Sequence, residues 1–282
     1  MLDIQNKLLA NTTMMEHELS NYFTSPNIDI SPIIEAQKYS ILGGGKRIRA
    51  FLVLEVCRLF SSKITPAIPY ACAIEMVHTS SLIHDDMPCM DDDDIRRGKP
   101  STHKQYGEAL ALLAGDSMLA KAFETVATNP HLSDAENIKA IRILAISTGD
   151  CGMLGGQTMD IEASQKKLDF EKLVRLHKLK TGRLISACAK LGCVAAGVFE
   201  DDERYFCAVK YAENVGLAFQ IIDDILDYEE GKRELNSFLS FMSVEEARKY
   251  AYELTASGIE AISKYDNGTL TQLAEFLTLR KY

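Results

Sequence analysis

The sequence predicts an all-α fold: a single domain built as a bundle of about ten or more helices around a central cleft. Apolar residues recur at spacings of three and four along most of the 282 residues, as one face of a helix requires. Only 17 glycines and 7 prolines occur, few for an all-β protein with many turns. The sequence also lacks convincing stretches of alternating apolar and polar residues bounded by turn signals.

Composition limits the possible functions. Apolar residues make up 46% of the chain and charged residues 25%, which is usual for a globular protein with a sizeable core. The net charge of −9 argues against sequence-independent binding of nucleic acid, because phosphate binding needs a basic face. If phosphates bind, metal ions or a few local cations must offset the acidic background.

The cysteines indicate the compartment. Seven are scattered through apolar segments without a CxxC pair, which fits neither a disulfide framework nor a zinc site. Reduced thiols are typical of a cytoplasmic protein. No apolar run approaches the ~18–20 residues of a membrane span, and the N-terminus does not resemble a signal peptide. Since no linker or shift in composition occurs either, we expect one cytoplasmic domain over residues 1–282.

One helix can be traced residue by residue. Thr65-Pro66 predicts its start, with Thr65 as N-cap and Pro66 in the first turn. Its apolar face contains Ile68, Cys72, Met76, Thr79 and Ile83, which predicts a helix over 66–84. Further helices are predicted around 110–120, 173–184 and 206–228, with loops at 43–45, 88–102 and 229–240.

The densest motif is HDDMPCMDDDDIRRG, residues 84–98. An isolated acidic run is usually a solvated loop. Here Pro88 stops the helix, so Asp85 and Asp91 can converge from the helix end and the following turn. Carboxylates of this kind suit Mg²⁺, which usually bridges to substrate phosphate, although the spacing is not that of an EF-hand. Arg96 and Arg97 directly after the acids suit a diphosphate held between metal and guanidinium groups.

A second acidic motif, FQIIDDILD, occupies residues 219–227. Asp223 and Asp227 are four residues apart, so both carboxylates project from one helical face, where a cation would relieve their repulsion. Such a helix could equally be a solvated surface. The apolar residues around the acids favour a cleft, and two such helices together predict a facing pair of metal sites.

Cationic and polar positions are weaker signals. The segment GGGKRIR (43–49) can be a simple helix C-cap followed by a new helix, or an anion site formed by backbone N–H groups with Lys46 and Arg49. It is not a Walker A loop, because no strand precedes it and no Ser or Thr follows the lysine. His78 alone is more often a satisfied core residue than a ligand. The remaining weak signals are Gln157 with Asp160 on one helical face, and Lys180-Thr181-Gly182 within a helix.

Together these segments resemble the trans-isoprenyl diphosphate synthases, the farnesyl and geranylgeranyl diphosphate synthase family. The resemblance covers the chain from about residue 40 to 265 in the family's order. It implies a Mg²⁺-dependent short-chain prenyltransferase that condenses isopentenyl diphosphate with allylic diphosphates (dimethylallyl, geranyl, farnesyl) to make geranylgeranyl and/or farnesyl diphosphate. The matching pieces are residues 43–50, 78–103, 155–160, 180–182 and 216–227.

The resemblance also implies residue roles. The cradle for isopentenyl diphosphate is Lys46, Arg49, His78 and Arg97. Three Mg²⁺ ions on the allylic diphosphate are implied to be held by Asp85 and Asp91, with Asp86 nearby, and by Asp223 together with Asp224 and Asp227. Arg96, Lys180, Thr181, Gln220 and Lys232 complete the allylic site. The catalytic residues are then Asp85, Asp86, Asp91, Lys180, Thr181, Gln220 and Asp223.

The implied chemistry needs no protein nucleophile. The allylic C–O bond ionises to a carbocation, the isopentenyl double bond attacks it, and the released diphosphate removes the proton. The active form is implied to be a homodimer. An apolar face at 107–123, with Ala109, Leu112, Ala120 and Phe123, is either the dimer contact or plain core.

The chain departs from the family after the second acidic motif. The family usually has a longer segment there with a GKxxG-like stretch, an Asp and a further Lys, whereas this chain has only residues 229–238, with Leu235 near the place of that lysine. Either part of the active-site lid is lacking, or a mobile loop is missing from the printed sequence. Because lids of this type are often disordered without ligand, we favour the second interpretation.

Two other functions compete with prenyl transfer. A His-Asp metal phosphohydrolase would use His78, His84 and Asp85, but it leaves the second acidic motif, Lys46 and Arg49 unexplained. A non-catalytic or regulatory subunit of a heteromeric prenyl synthase would fit the short 229–238 segment.

Product length is predicted from the residues before Asp85. Ser80 and Ser81 lie one turn before it, where the growing prenyl tail must pass. Because Ser80 is small, and because the DDMPCMDD form is typical of family members with the twenty-carbon product, we favour geranylgeranyl over farnesyl diphosphate. Met76 or Met118 could still close the same floor, since methionine repacks easily.

Overall fold

The chain is almost entirely α-helical, which confirms the predicted fold class. The computed structural model describes residues 2–24, 28–164, 166–231 and 235–278. The described residues form two compact units, an N-terminal unit (2–54 and 65–141) and a C-terminal unit (55–64 and 142–278). The single domain over 1–282 stays a prediction.

The N-terminal unit is built around one buried helix. Helix α4 is buried on nearly every face, as expected of an almost wholly apolar helix, and it packs against α1, α2 and α6. The Tyr70 hydroxyl donates to the Asn137 side-chain oxygen at 2.8 Å, so the helix is also tied by a polar contact. The unit contains α1 (Leu2–Tyr22), α2 (Ser31–Ile41), the first part of α3 (Ile48–Phe60), α4 (Ile68–Asp85), α5 (Thr102–Tyr106), α6 (Glu108–Ala127) and the first part of α7 (Asp134–Thr148).

Helix α4 does not begin where the sequence pattern placed it. Residues Thr65–Ala67 form a separate 3₁₀ turn, and α4 starts at Ile68 with Pro69 in its first turn. The prediction that Thr65 is the N-cap of this helix is therefore wrong. Proline lacks an N–H and fits only at the start of a helix, so the second proline of the segment, not the first, marks the boundary.

The C-terminal unit is organised around a 27-residue helix, α11, which packs along α10 and α12. Its start is capped by the Asp202 side chain, which accepts from the Arg204 backbone N–H, and α12 begins with a capping box of Ser243 and Glu246. Besides the remainders of α3 and α7, the unit contains α8 (Met153–Ala163), α9 (Phe170–His177), α10 (Arg183–Ala195), α11 (Glu203–Glu229), α12 (Val244–Ile262) and α13 (Thr269–Thr278).

The thiols and the helix lengths agree with the sequence analysis. All seven cysteines are free, and Cys57, Cys72, Cys188 and Cys193 are buried. Among the helices in the described part of the chain, none combines the length and hydropathy that crossing a membrane requires.

Candidate active site

The first acidic motif folds back on the end of α4. The helix ends at Asp85, just before Pro88, as predicted. The backbone N–H of Asp91 then donates to the carbonyl of Asp85 at 2.9 Å, and the N–H of Asp92 donates to the carbonyl of Met87 at 3.1 Å. The turn therefore joins the backbones of Asp85 and Asp91; Asp85 is partly exposed and Asp91 is exposed.

Asp86 points elsewhere. Its side chain is only 2% exposed and accepts from Arg96, with Nε 2.8 Å from Oδ1. Arg96 Nη2 also bonds Asp93 Oδ2 at 2.9 Å. Burial raises the pKa of the Asp86 carboxyl, and the hydrogen bond from Arg96 opposes that rise. Two predicted site residues, Asp86 and Arg96, are thus paired with each other.

A small hairpin that the sequence analysis did not predict aims Arg96 at Asp86. Strands β1 (Ile95–Arg96) and β2 (Lys99–Pro100) pair antiparallel. The two residues between them, Arg97 and Gly98, have φ values of 53° and 74°. Positive φ at both central positions is the requirement of a type I′ hairpin turn, so the RRG sequence itself makes this turn.

The glycine-rich turn precedes α3 as predicted. Gly44 and Gly45 have φ values of 98° and 113°, which few other residues adopt. A side chain at Gly45 would lie 3.0 Å from the Arg97 guanidinium, so glycine allows the turn to approach that arginine. Lys46 follows on the exposed side of the turn.

His78 lies among cations. Arg49 Nη1 is 3.3 Å from His78 Nε2, and since a guanidinium can only donate, the imidazole accepts. Burial, helped by Arg49, Arg97 and two further arginines, keeps the pKa of His78 well below its usual value. The imidazole is therefore neutral, and the predicted residues Arg49, His78 and Arg97 belong to one cationic cluster that suits an anion.

Sequence reasoning missed Glu75, which supports this cluster. Its carboxylate is buried on α4 and accepts from Arg47 Nη1 at 3.3 Å and from the Ala50 backbone N–H at 3.1 Å. Arg47 is also buried and has a positive φ of 49°. A lone acid within an apolar helix was the available signal, because a buried carboxylate needs such partners.

In the C-terminal unit, Lys180 and Thr181 lie on a π-helical turn, Lys178–Gly182, between α9 and α10. Such turns often occur at functional sites. Lys180 Nζ pairs with Asp160 at 2.5 Å, and Thr181 Oγ1 donates to Gln220 Oε1 at 3.1 Å. The structure therefore brings Lys180, Thr181 and Gln220 together, with Asp160 as an additional member.

Gly156 explains how α8 approaches this turn. A Cβ at position 156 would lie 2.2 Å from the backbone nitrogen of Lys180, a distance that no side chain tolerates. Within the GGQTMD motif, Gly156 thus allows α8 to approach the turn, and Asp160 forms the ion pair with Lys180.

In the second acidic motif, as in the first, one aspartate of the adjacent pair holds a neighbouring segment of the chain. Asp223 and Asp227 lie one turn apart on α11, and each is partly exposed. Asp224 instead accepts two hydrogen bonds on Oδ2, from Ser237 Oγ at 2.9 Å and from the Phe238 backbone N–H at 2.8 Å. Burial raises the pKa of the Asp224 carboxyl.

The interpretation that a mobile loop is missing after the second acidic motif concerns residues 229–238, of which 232–234 lie outside the described residues, and it stays a prediction. The connection is short, and residues 235–240 fold back onto α11 through Asp224. Lys232 lies outside the described residues.

One group of possible metal ligands was not predicted. The ligand atoms of Asp92, Asp94 and His103 all lie within 4.8 Å of one another. Asp94 already pairs with Lys104 at 2.7 Å, which holds the pKa of the Asp94 carboxyl below its usual value and competes with a metal ion.

Other predicted positions are also located. Ser80 is buried, and its hydroxyl donates to the Val77 carbonyl on its own helix; Met76 and Met118 are buried as well. His84 is engaged at α6, 3.3 Å from the Leu112 carbonyl. On α6, Ala109, Leu112 and Ala120 are exposed and Phe123 is partly buried, so the first three are not core residues.

Comparison with known proteins supports the same assignment. The polyprenyl synthetase family model matches residues 31–238. A farnesyl diphosphate synthase of Escherichia coli is 37% identical over 300 residues, covering 99% of both chains. A geranylgeranyl diphosphate synthase of Cyanophora paradoxa is 42% identical over 264 residues, covering 88% of this chain and 87% of its own. The crystal structure of a FPP/GFPP synthase from Zymomonas mobilis superposes with a TM-score of 0.90 at 35% identity, covering 98% and 99% of the two chains.

The match extends over most of the chain and includes both acidic motifs, so the resemblance read from the sequence is confirmed. It also excludes the His-Asp phosphohydrolase, whose two histidines are here engaged by Arg49 and by α6. The chain belongs to the polyprenyl synthetase family, whose members are trans-prenyltransferases.

Proposed function

We propose that the protein condenses isopentenyl diphosphate with allylic diphosphates, from dimethylallyl to farnesyl, in a Mg²⁺-dependent reaction. The observation that carries this proposal is the cationic cluster of the N-terminal unit, where a neutral His78 lies among arginines. Arg47 and Arg96 pair with acids of the chain itself, and Arg49 and Arg97 add guanidinium groups beside His78 that suit a bound anion. Lys46, Arg49, His78 and Arg97 would hold the isopentenyl diphosphate.

The two acidic motifs offer ligands for magnesium. Asp85 with Asp91, and Asp223 with Asp227, present only carboxylate oxygens, the hard donors that Mg²⁺ prefers. We propose that each pair binds magnesium and, as the family resemblance implies, that an active site holds three ions. Magnesium, when bound, would withdraw charge from the allylic diphosphate as its C–O bond breaks.

The chain's own residues bind and orient the allylic substrate. Lys180 supplies a cation beside Asp160, and Thr181 and Gln220 are hydrogen-bonded to each other, so their dipoles are held in place for the developing carbocation. Arg96 is anchored by Asp86 and presents its remaining donors to a diphosphate. Asp86 therefore contributes through Arg96, and Lys232 remains a proposed member of this site.

The product proposed is geranylgeranyl diphosphate, with farnesyl diphosphate as the alternative. Ser80 is small and its hydroxyl bonds back to its own helix, so it adds little volume beside the path of the tail. The relatives include synthases named for either product.

The assembly proposed is a homodimer of single-domain subunits in the cytoplasm. The exposed leucines of α6, Leu112 and Leu113, are where we place the contact between the two subunits.

The test is incubation with isopentenyl and dimethylallyl diphosphates and Mg²⁺, followed by chromatography of the dephosphorylated products. Elongated prenyl alcohols that disappear with a chelator support the proposal. Absence of turnover unless a second prenyl synthase subunit is added would instead indicate the regulatory-subunit alternative.

A further inference from the structure

The connection after α11 is firmly held although it is short. We call residues Leu235–Met242 the strap. Asp224 Oδ2 accepts from Ser237 Oγ at 2.9 Å and from the Phe238 backbone N–H at 2.8 Å. A carboxylate oxygen has two lone pairs, so both of those on Oδ2 are used.

The strap is also tied to the segment after α8. The Asn236 side chain accepts from the Leu168 backbone N–H at 2.8 Å and donates to the Ala163 carbonyl at 2.7 Å. This amide thus bridges two chain segments about 70 residues apart in sequence. The strap is therefore fixed from α11 on one side and from the end of α8 on the other.

Phe238 connects the strap to the π turn. Its side chain is fully buried, and its ring stacks on His177 with centroids 5.0 Å apart and an interplanar angle of 23°. His177 is the last residue of α9 and directly precedes the turn Lys178–Gly182. A displacement of the strap would move the ring beneath His177 and with it the start of that turn.

We propose that Asp224 is a positioning residue and not a metal ligand. Through Ser237 and Phe238 it holds His177, and thereby the π turn that carries Lys180 and Thr181. The consequence for catalysis rests on the proposed function, in which that turn binds the allylic diphosphate. The division of labour within the second motif follows: Asp223 and Asp227 serve the metal, and Asp224 serves the strap.

The first experiment measures Michaelis constants and Mg²⁺ dependence, with geranyl diphosphate as the allylic probe. Ser237→Ala removes, without changing any charge, the hydrogen bond to Asp224 and the one that Ser237 Oγ accepts from the Leu239 backbone N–H. We expect it to raise the KM for geranyl diphosphate about fivefold. The KM for isopentenyl diphosphate and the apparent Mg²⁺ constant should both stay within about twofold. Asp224→Ala should raise the KM for geranyl diphosphate more than Ser237→Ala does.

Conservative variants separate positioning from ligation. Asp224→Asn keeps an acceptor oxygen, so we expect it to recover most of the loss seen in Asp224→Ala. Asp223→Asn, the matched control, should instead raise the apparent Mg²⁺ constant by about tenfold or more. A Mg²⁺ shift in Asp224→Asn as large as that in Asp223→Asn would overturn the proposal.

The second experiment does not depend on activity. The Phe238 amide hydrogen itself donates to Asp224, so its exchange rate with deuterated water reports this contact directly. It should exchange at least about tenfold faster in Asp224→Ala, and at the wild-type rate in Asp223→Asn. Unchanged exchange in Asp224→Ala contradicts the proposal. Absence of prenyl transfer in the wild type contradicts only the proposed function, because the exchange result still stands.

Discussion

The two acidic motifs use their paired aspartates in the same way but hold them differently. In each pair the second residue, Asp86 or Asp224, supports a neighbouring segment through its carboxylate. Asp86 is buried and Asp85 partly exposed, whereas Asp223 and Asp224 are both partly exposed. Asp86 holds the β-hairpin through the charged Arg96. Asp224 holds the strap through a hydroxyl and a backbone N–H, both neutral.

The difference shows what each motif needs. The hairpin carries an arginine proposed to meet a diphosphate, so its support must also hold a cation in place. The strap carries a buried aromatic ring, for which neutral donors are enough. In each DD pair the second member therefore supports the scaffold, and the first is the one proposed to bind magnesium.

The largest effect is expected on kcat, when the first aspartate of each pair, Asp85 or Asp223, is replaced. Asp85→Ala and Asp223→Ala should each lower kcat by about a thousandfold or more, because each removes a proposed magnesium ligand. Thermal unfolding should change little, since removing an accessible anion leaves no cavity. Initial rates and melting temperatures check both statements, and near-wild-type turnover in either variant would show that its aspartate is not a ligand.

The next largest effect is expected on the free energy of unfolding, when the second aspartate of each pair, Asp86 or Asp224, is replaced. Asp86→Asn should lower the free energy of unfolding by roughly 2 kcal/mol, because the half-exposed Arg96 loses its buried charge partner and keeps only Asp93. Asp224→Asn should cost only about 1 kcal/mol, since the amide oxygen still accepts from neutral donors. Urea denaturation of the two variants checks the order, and a reversed order would refute the proposed contrast between charged and neutral support.

Much of the fold could be predicted because its signals are local. Helical spacing and the effect of Pro88 gave the all-α class and the end of α4 correctly. The start of α4 could not be read from Thr65-Pro66, because a second proline three residues later offered a competing first turn. The β-hairpin was missed because four paired residues carry no period-two pattern, and only the φ values of Arg97 and Gly98 define it.

Site residues could be predicted where a motif carries its own chemistry. The helix end and the following turn predict that Asp85 and Asp91 converge, and a hydrogen bond joins their backbones. Glu75 and Asp224 depend on contacts with residues 25 and 14 positions away, which spacing within one motif does not reveal.

A smaller effect on stability is expected from the titration of His177, the residue that stacks on Phe238 of the strap. Burial lowers the pKa of His177 from 6.5 to about 4, so the folded protein keeps this imidazole neutral where the unfolded chain binds a proton. Stability is therefore lost as pH falls from 6.5 towards 4, by at most about 2 kcal/mol at pH 5. Urea denaturation at pH 7 and 5 measures this loss.

His177→Phe is the matched control, because it retains an aromatic ring over Phe238 but cannot titrate. Its stability should fall less between pH 7 and 5 than that of the wild type. An equal fall in both proteins would assign the pH dependence to another group, such as His78.

The smallest effect on rate or stability is expected at Ser80, one turn before the first motif. If the tail runs beside α4 there, Ser80→Tyr should shorten the product from twenty to fifteen carbons while kcat for the first condensation stays within about threefold. Ser80 is 2% exposed, so a tyrosine without a tunnel to enter would overpack the core and cost about 1–3 kcal/mol. Product chromatography and the melting temperature of Ser80→Tyr together distinguish a shortened product from an overpacked core. A stable variant with an unchanged product would show that Ser80 does not set chain length, and a strongly destabilised one would show that no tunnel lies beside it.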